Sequence, residues 1–248
     1  IEQREDAGTP GTVQRIRAAL AFLVKQSVGA HAIEQLEDAL IQDAIARLRR
    51  HPRVELLGSL DAPRLAILSF LVRTESGRYL HPRLVVRLLN DLFGIQSRGG
   101  CACAGPYAHR LLKIDPPRAE AFRDAVLGGF DAVKPGWTRL NFSYFIEADE
   151  FEFLIDAIEF IADHGERFLG QYVCDWQAGA WRHPLDQAQP DLLALAARPA
   201  MRFAAPLPGF AECMAQAHAA LSHMPTPAAR PRRGLPQDLP VELVTFGY

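Results

Sequence analysis

Lysine is nearly absent. The chain of 248 residues holds Lys25, Lys113 and Lys134 and no others, so its 27 basic residues are almost all arginine. Cysteine is as scarce, with four in the chain, too few for a disulfide framework at this length. One closely spaced pair, Cys101 and Cys103, stands without a second Cys or His pair at ligand spacing, which argues against a zinc site. No apolar run approaches the length that crosses a bilayer, so no membrane partner is expected. The formal net charge is -2 with acids and bases interspersed, which leaves neither a basic footprint for nucleic acid nor a polybasic membrane anchor. A phosphate loop, a Gly-x-Gly-x-x-Gly turn after a strand, a zinc-protease helix and an internal repeat are all missing. With few cysteines and no leader-like opening, a reducing cytoplasm is the expected setting. The first residues, Ile-Glu-Gln, carry no initiator methionine, so a processed product or a piece of something longer is expected.

What is present is a 49% apolar composition, enough to bury a core. Charged and turn-rich residues 1–12 lead into an amphipathic pattern over 13–28, with Val13, Ile16, Leu20, Leu23 and Val24 at helical spacing and Thr9 or Thr12 placed to cap it. Residues 30–50 repeat that spacing, and Pro52 ends the helix. Short apolar stretches at 54–57 and 64–73 predict strands, the second continuous enough to lie near a sheet centre. Leu84, Val85, Leu88, Leu89 and Leu92 predict a helix over 81–93, with Pro82 in its first turn. A brief strand over 95–97 should follow, then helices over 106–112 and 116–127. Residues 137–145, WTRLNFSYF, alternate strictly, so Arg139 shares a face with Asn141 and Ser143 and opposes Leu140 and Phe142. A helix over 148–164 and a hairpin over 172–182 turning at Ala178-Gly179 complete the periodic part. Beyond Pro184 the Pro/Arg-rich sequence predicts a poorly ordered extension with one helix at 211–221. The order of elements predicts an α/β fold with a small α+β domain, a sheet covered by helices on at least one face.

The chemistry concentrates at residues 97–110, SRGGCACAGPYAHR. Two glycines permit close backbone approaches, and a thiol beside Arg98 on such a turn sits where thiolate is favoured. In an extended loop Cys101 and Cys103 point to opposite sides, so one of them faces any cleft. Burial of both as small apolar side chains is the competing reading.

Several separated segments resemble the C-terminal part of class V aminotransferase-fold enzymes, the fold-type-I pyridoxal-phosphate group that includes cysteine desulfurases. They are REDAGTPG at 4–11, the helix after it, LAILSFLV at 65–72, VVRLLNDLFGI at 85–95, RGGCACAGP at 98–106 and TRLNFSYFIEADEFEFLIDAI at 138–158. The resemblance implies that Thr9, with Gly8 beside it, contacts the phosphate of pyridoxal 5'-phosphate bound in the neighbouring subunit of a homodimer. It implies that Arg139 holds the α-carboxylate of a small amino-acid substrate, with Arg98 in a lesser substrate-binding role. It implies that Cys103 is the catalytic cysteine that takes sulfur from substrate. The histidines that precede the reactive cysteine in many desulfurases are replaced here by Cys101 and Ala102; a CxC loop also resembles molybdenum-cofactor sulfurases, and other class V branches dispense with the cysteine.

The Schiff-base lysine of the family belongs before the GTP segment, whereas Lys25, Lys113 and Lys134 all follow it. Residues 1–29 are therefore expected to be the end of the large cofactor-binding domain, 30–184 the small C-terminal domain and 185–248 an extension. Two other functions stay open: a non-catalytic binding or assembly protein, and a sulfur acceptor that uses Cys103 alone. The enzyme reading expects an exposed apolar surface over residues 13–28.

Overall fold

The computed structural model describes residue 8 and residues 11–100, 105–186, 208–224 and 235–247. Thr9, Cys101 and Cys103 lie outside them, as do residues 187–207 and 225–234 of the extension.

Helices α1 (Thr12–Val28) and α2 (Ala30–Leu48) meet at Gly29. The N-cap of α1 is Gly11, with no side-chain cap hydrogen bond among the described residues. Helix α1 buries none of its residues, and Val13, Ile16, Leu20, Phe22, Leu23 and Val24 are all more than half exposed. Helix α2 is apolar only toward its C-terminal half, where Ile41, Ala44, Ile45 and Leu48 enter the core.

Strands β1 (Val54–Leu56) and β2 (Ile67–Val72) precede helix α3 (Pro82–Phe93), strand β3 (Arg98–Gly100), helices α4 (Gly105–Leu111) and α5 (Pro116–Leu127) and strand β4 (Trp137–Asn141). The four strands form one antiparallel sheet in the order β1-β2-β4-β3. Helix α6 (Ala148–His164) packs behind α3 and α2, and helix α7 (Phe210–Ser222) lies against α3 and α6. Between them β5 (Val173–Asp175) and β6 (Ala180–Arg182) make a separate hairpin turning at Ala178-Gly179.

The pleat sends Leu68, Phe70, Val72, Thr138 and Leu140 to the face under α3, and all are 5% exposed or less. At the β3 edge the helix comes so close that a Cβ on Gly99 would meet the Pro82 carbonyl oxygen at 2.7 Å and Val86 at 2.8 Å. Only glycine admits that approach. Thr138, buried in the same place, donates its hydroxyl to the Pro82 carbonyl at 3.3 Å.

Four expectations from the sequence are corrected. The strand expected at 95–97 forms at Arg98–Gly100, because the partner residues on β4 are Trp137, Thr138 and Arg139. The strand expected over 64–73 begins only at Ile67, and that over 137–145 ends at Asn141, where the Ile146 N–H closes a turn on the Ser143 carbonyl. The described parts of the extension are packed: Leu239, Leu243, Val244 and Phe246 are buried, and Tyr79 exchanges backbone hydrogen bonds with Thr245 and Gly247. The Phe246 ring meets His81 edge-on at 4.5 Å and stacks on Trp176 at 5.7 Å. Replacing Phe246 by Ala should cost about 3 kcal/mol, read as a lowered urea midpoint, and should loosen residues 235–247 in a limited-proteolysis digest.

Candidate functional site

The second face of the sheet is formed by Glu55, Leu57, Ile67, Ser69, Leu71, Trp137, Arg139 and Arg98. At one end it is apolar, because Leu57, Leu71 and Trp137 cluster with Ala108 of α4 and with Leu111, Leu112 and Tyr79. The expected polar face of β4 is therefore covered at Trp137, which is 5% exposed. Next to this cluster lies a row set by register: Ser69 of β2 faces Arg139 of β4, and Arg139 faces Arg98 of β3.

Residues directly opposed across an antiparallel pair have Cα atoms about 5 Å apart and side chains on the same face. Arg98 and Arg139 thus stand side by side as like charges, an arrangement that weakens a strand pair unless an anion joins them. Arg139 is half-buried and Arg98 exposed, and neither has a hydrogen-bond or ion-pair partner among the described residues. Ser69 is half-buried beside them. Two planar forks on one face, with a hydroxyl alongside, have the donor chemistry that can hold a carboxylate or a similar oxyanion. Arg64, in the turn before β2, also has Nε and Nη1 buried without a partner.

The structure thus brings two of the sequence-predicted residues, Arg98 and Arg139, into one row. Gly8 is exposed with φ 147, and Thr9 and Cys103 lie outside the described residues. Strand β3 runs from Arg98 straight to Gly100, so the row ends where the cysteine segment begins. Cys174 and Cys213, both half-buried, are free, and burial, with the Asp175 charge, pushes the Cys174 thiol up to about 12, which keeps it a thiol.

The lysines do not complete a covalent cofactor site. Lys25 lies on exposed α1, Lys113 is exposed just past α4, and Lys134 is ion-paired with Asp131 at 2.8 Å. None belongs to the arginine row. The described residues thus provide no amine beside the arginine row for a Schiff base.

His81 is the buried N-cap of α3. Its Nδ1 accepts from the Arg83 N–H at 3.1 Å, so Nε2 carries the proton and donates to the Ala132 carbonyl at 3.0 Å. Burial lowers its pKa to about 4, and the Arg83 charge adds to the effect. His51 closes the turn between α2 and β1, its Nδ1 accepting from the Arg53 N–H at 3.2 Å and its Nε2 lying 3.3 Å from Asp163.

Residues 1–122 match the family model for aminotransferase class-V. The segments REDAGTPG, LAILSFLV, VVRLLNDLFGI and RGGCACAGP fall inside that span, and TRLNFSYF falls after it. No curated protein matches the chain. Among solved structures, the apo structure of a cysteine desulfurase from Thermococcus onnurineus NA1 is similar over 64% of this chain, at 22% sequence identity and a TM-score of 0.49. The chain spans 33% of that desulfurase. Among the described residues no helix is long and apolar enough to cross a membrane.

The buried histidine makes stability depend on pH. The folded state holds His81 neutral down to about pH 4, whereas the unfolded chain takes up a proton below about pH 6.5. Stability from this residue is therefore complete above about pH 6.5 and falls, by up to about tenfold in the folding constant per pH unit, on the way down to about pH 4. Urea titrations at neutral and mildly acidic pH should show that slope. His81→Asn, which keeps an acceptor for Arg83, should flatten it.

Proposed function

We propose, taking the class-V aminotransferase match over residues 1–122 as the premise, that this chain works as the C-terminal portion of a pyridoxal-phosphate-dependent enzyme acting on a small amino acid. The observation that carries this reading is the pair Arg98 and Arg139, opposed in register on one sheet face with no carboxylate of the described chain between them. An amino-acid α-carboxylate is the anion that a half-buried planar donor would hold in two-point contact. In this reading Arg139 takes the carboxylate, Ser69 supports it from β2, and Arg98 supplies the outer charge at the sheet edge. The covalent cofactor lysine then comes from sequence other than these 248 residues, since none of Lys25, Lys113 and Lys134 stands in that row. When bound, the cofactor supplies the electron sink that loosens bonds to the substrate's α-carbon. What this chain does is orient the substrate by its carboxylate so that one such bond is presented for reaction.

Cys103 follows the arginine row along the chain, and on this reading it accepts sulfur from the substrate. Thr9 and Gly8 reach the cofactor phosphate of a second subunit in a homodimer, and the setting is the cytoplasm. A domain division at 1–29, 30–184 and 185–248 goes with this assignment. The exposed apolar residues of α1 support it, because a surface of this kind is where a preceding domain would pack.

The test is made on a chain extended by its in-frame upstream coding sequence and supplied with pyridoxal phosphate. Borohydride should fix the cofactor to a lysine upstream of Gly8, and to none of the lysines of this chain. Replacing Arg139 by Ala should raise KM for the amino acid by about a hundredfold with a smaller change in kcat, and Arg139→Lys should recover only part of it. An unchanged KM in both variants would remove Arg139 from the substrate site. Cofactor fixation on Lys134 would overturn the assignment of the lysine.

A further inference from the structure

Charge on the second sheet face does not balance. Strands β2, β3 and β4 carry no acidic residue, and their two charged side chains, Arg98 and Arg139, are both cations. The acid of the remaining strand, Glu55 of β1, is already engaged: it accepts from Arg73 and, at 2.7 Å, from the Tyr79 hydroxyl. The next acidic residue after Arg98 in the chain is Asp115, which caps α5 by accepting from the Arg118 N–H at 2.9 Å. Next to Arg139 along the same face of β4 comes neutral Asn141, whose amide donates to the Ser143 hydroxyl at 3.3 Å.

Two cations with no anion of their own set the charge of what the face receives. A ligand with one carboxylate neutralises one guanidinium and leaves the other uncompensated beside it; a ligand with two acidic groups neutralises both. The geometry agrees with the second case. A carboxylate held in two-point contact presents both its oxygens to one planar fork. Neighbouring strands stand about 4.8 Å apart, so a second fork on the next strand is served by a second oxyanion at about that span, which a four- or five-carbon diacid provides. The two forks are also unequal. Arg139 is half-buried with Ser69 opposite it on β2, whereas Arg98 is exposed on β3, the last strand in the order β1-β2-β4-β3. The inner fork suits the group that every amino acid carries, and the outer fork suits the group by which amino acids differ.

We infer that this face selects an amino acid with an acidic side chain, of the aspartate or glutamate kind: Arg139 takes the α-carboxylate, and Arg98 is the specificity-determining residue that takes the side-chain acid. The inference rests on the reading of Arg139 as the α-carboxylate donor and needs nothing from the cysteine segment. A neutral side-chain amide of the same shape still offers Arg98 an oxygen, but without the charge that makes such a hydrogen bond strong. Selectivity between the acid and its amide is therefore the signature of this arrangement.

The test is a titration of the whole chain, with nitrogen-15 in its arginines, using L-aspartate against L-asparagine and L-glutamate against L-glutamine, pairs that differ in charge and hardly in shape. The Nε–H signal of Arg139 should move with all four amino acids and that of Arg98 with the acidic ones. The acidic member of at least one pair should bind about tenfold more tightly than its amide. In Arg98→Gln that ratio should fall to about one, and in Arg139→Gln both members should weaken. Equal affinities within both pairs would overturn the inference, as would a preference that survives Arg98→Gln; the α-carboxylate reading of Arg139 then still stands if Arg139→Gln weakens both members. If no amino acid moves the Arg139 signal, that reading falls and the inference with it. Should Arg98→Gln not fold, the unaltered chain decides: an Arg98 signal that moves alike with acid and amide overturns the inference.

Discussion

Strand β4 must bury Thr138 and Leu140 on one side, and everything at the candidate site follows from that. With side chains alternating at period two, burial of those residues under α3 forces Arg139 to the opposite face. The Pro82 carbonyl locks the arrangement, because Thr138 donates to it and Gly99 lies directly beneath it. A slip of one residue in β4 would carry Arg139 into the core and Thr138 out. The cost of burying an unpaired guanidinium, several kcal/mol, excludes that register. The juxtaposition of Arg139 with Arg98 is thus a consequence of core packing by their immediate chain neighbours, and no contact between the arginines themselves is needed to maintain it.

The alternation over 137–145 was legible because one face of β4 packs against a helix and the other does not, which is the case in which period two survives in the sequence. Helices α3, α5 and α6 were legible for the same reason, each having an apolar stripe and an end marked by proline, glycine or acidic residues. Strand β3 was not. Its three residues, Arg-Gly-Gly, have no apolar signature and pair only because Trp137 to Arg139 lie across from them. Ile95, which suggested a strand three residues earlier, is buried as the chain leaves α3. The final residues misled in the opposite sense. Proline-rich composition suggested disorder, yet Leu243, Val244 and Phe246 complete the core around His81 and Trp181, a long-range match that no local pattern reveals.

Arg83 had no distinguishing mark in the sequence. It is one of two arginines on the polar side of α3, and its contacts with the Ala178 and Gly179 carbonyls join residues far apart in the chain. The same is true of Ser69, which reads as a polar interruption of an apolar strand and becomes a neighbour of Arg139 only through the β2–β4 register. Arg98 and Arg139 could be singled out together because their motifs resemble one family, but their adjacency could not.

The disposition of charge elsewhere sharpens the meaning of that adjacency. Several arginines that fasten two elements do so through carboxylates: Arg47 of α2 meets Glu152, Asp156 at 2.9 Å and Glu159 at 3.1 Å on α6, Arg53 meets Glu75 at 2.9 Å, Arg73 meets Glu55, and Arg87 meets Asp91 and Asp186, whereas Arg83 and Arg167 use backbone carbonyls. Such pairs, partly exposed, contribute modestly to stability, but they show that arginines with a structural task are given partners. Arg98, Arg139 and the buried nitrogens of Arg64 are not given any. A sheet face that sets two cations in register, with no carboxylate among the described residues between them, is the observation on which the proposal of an incoming anion rests.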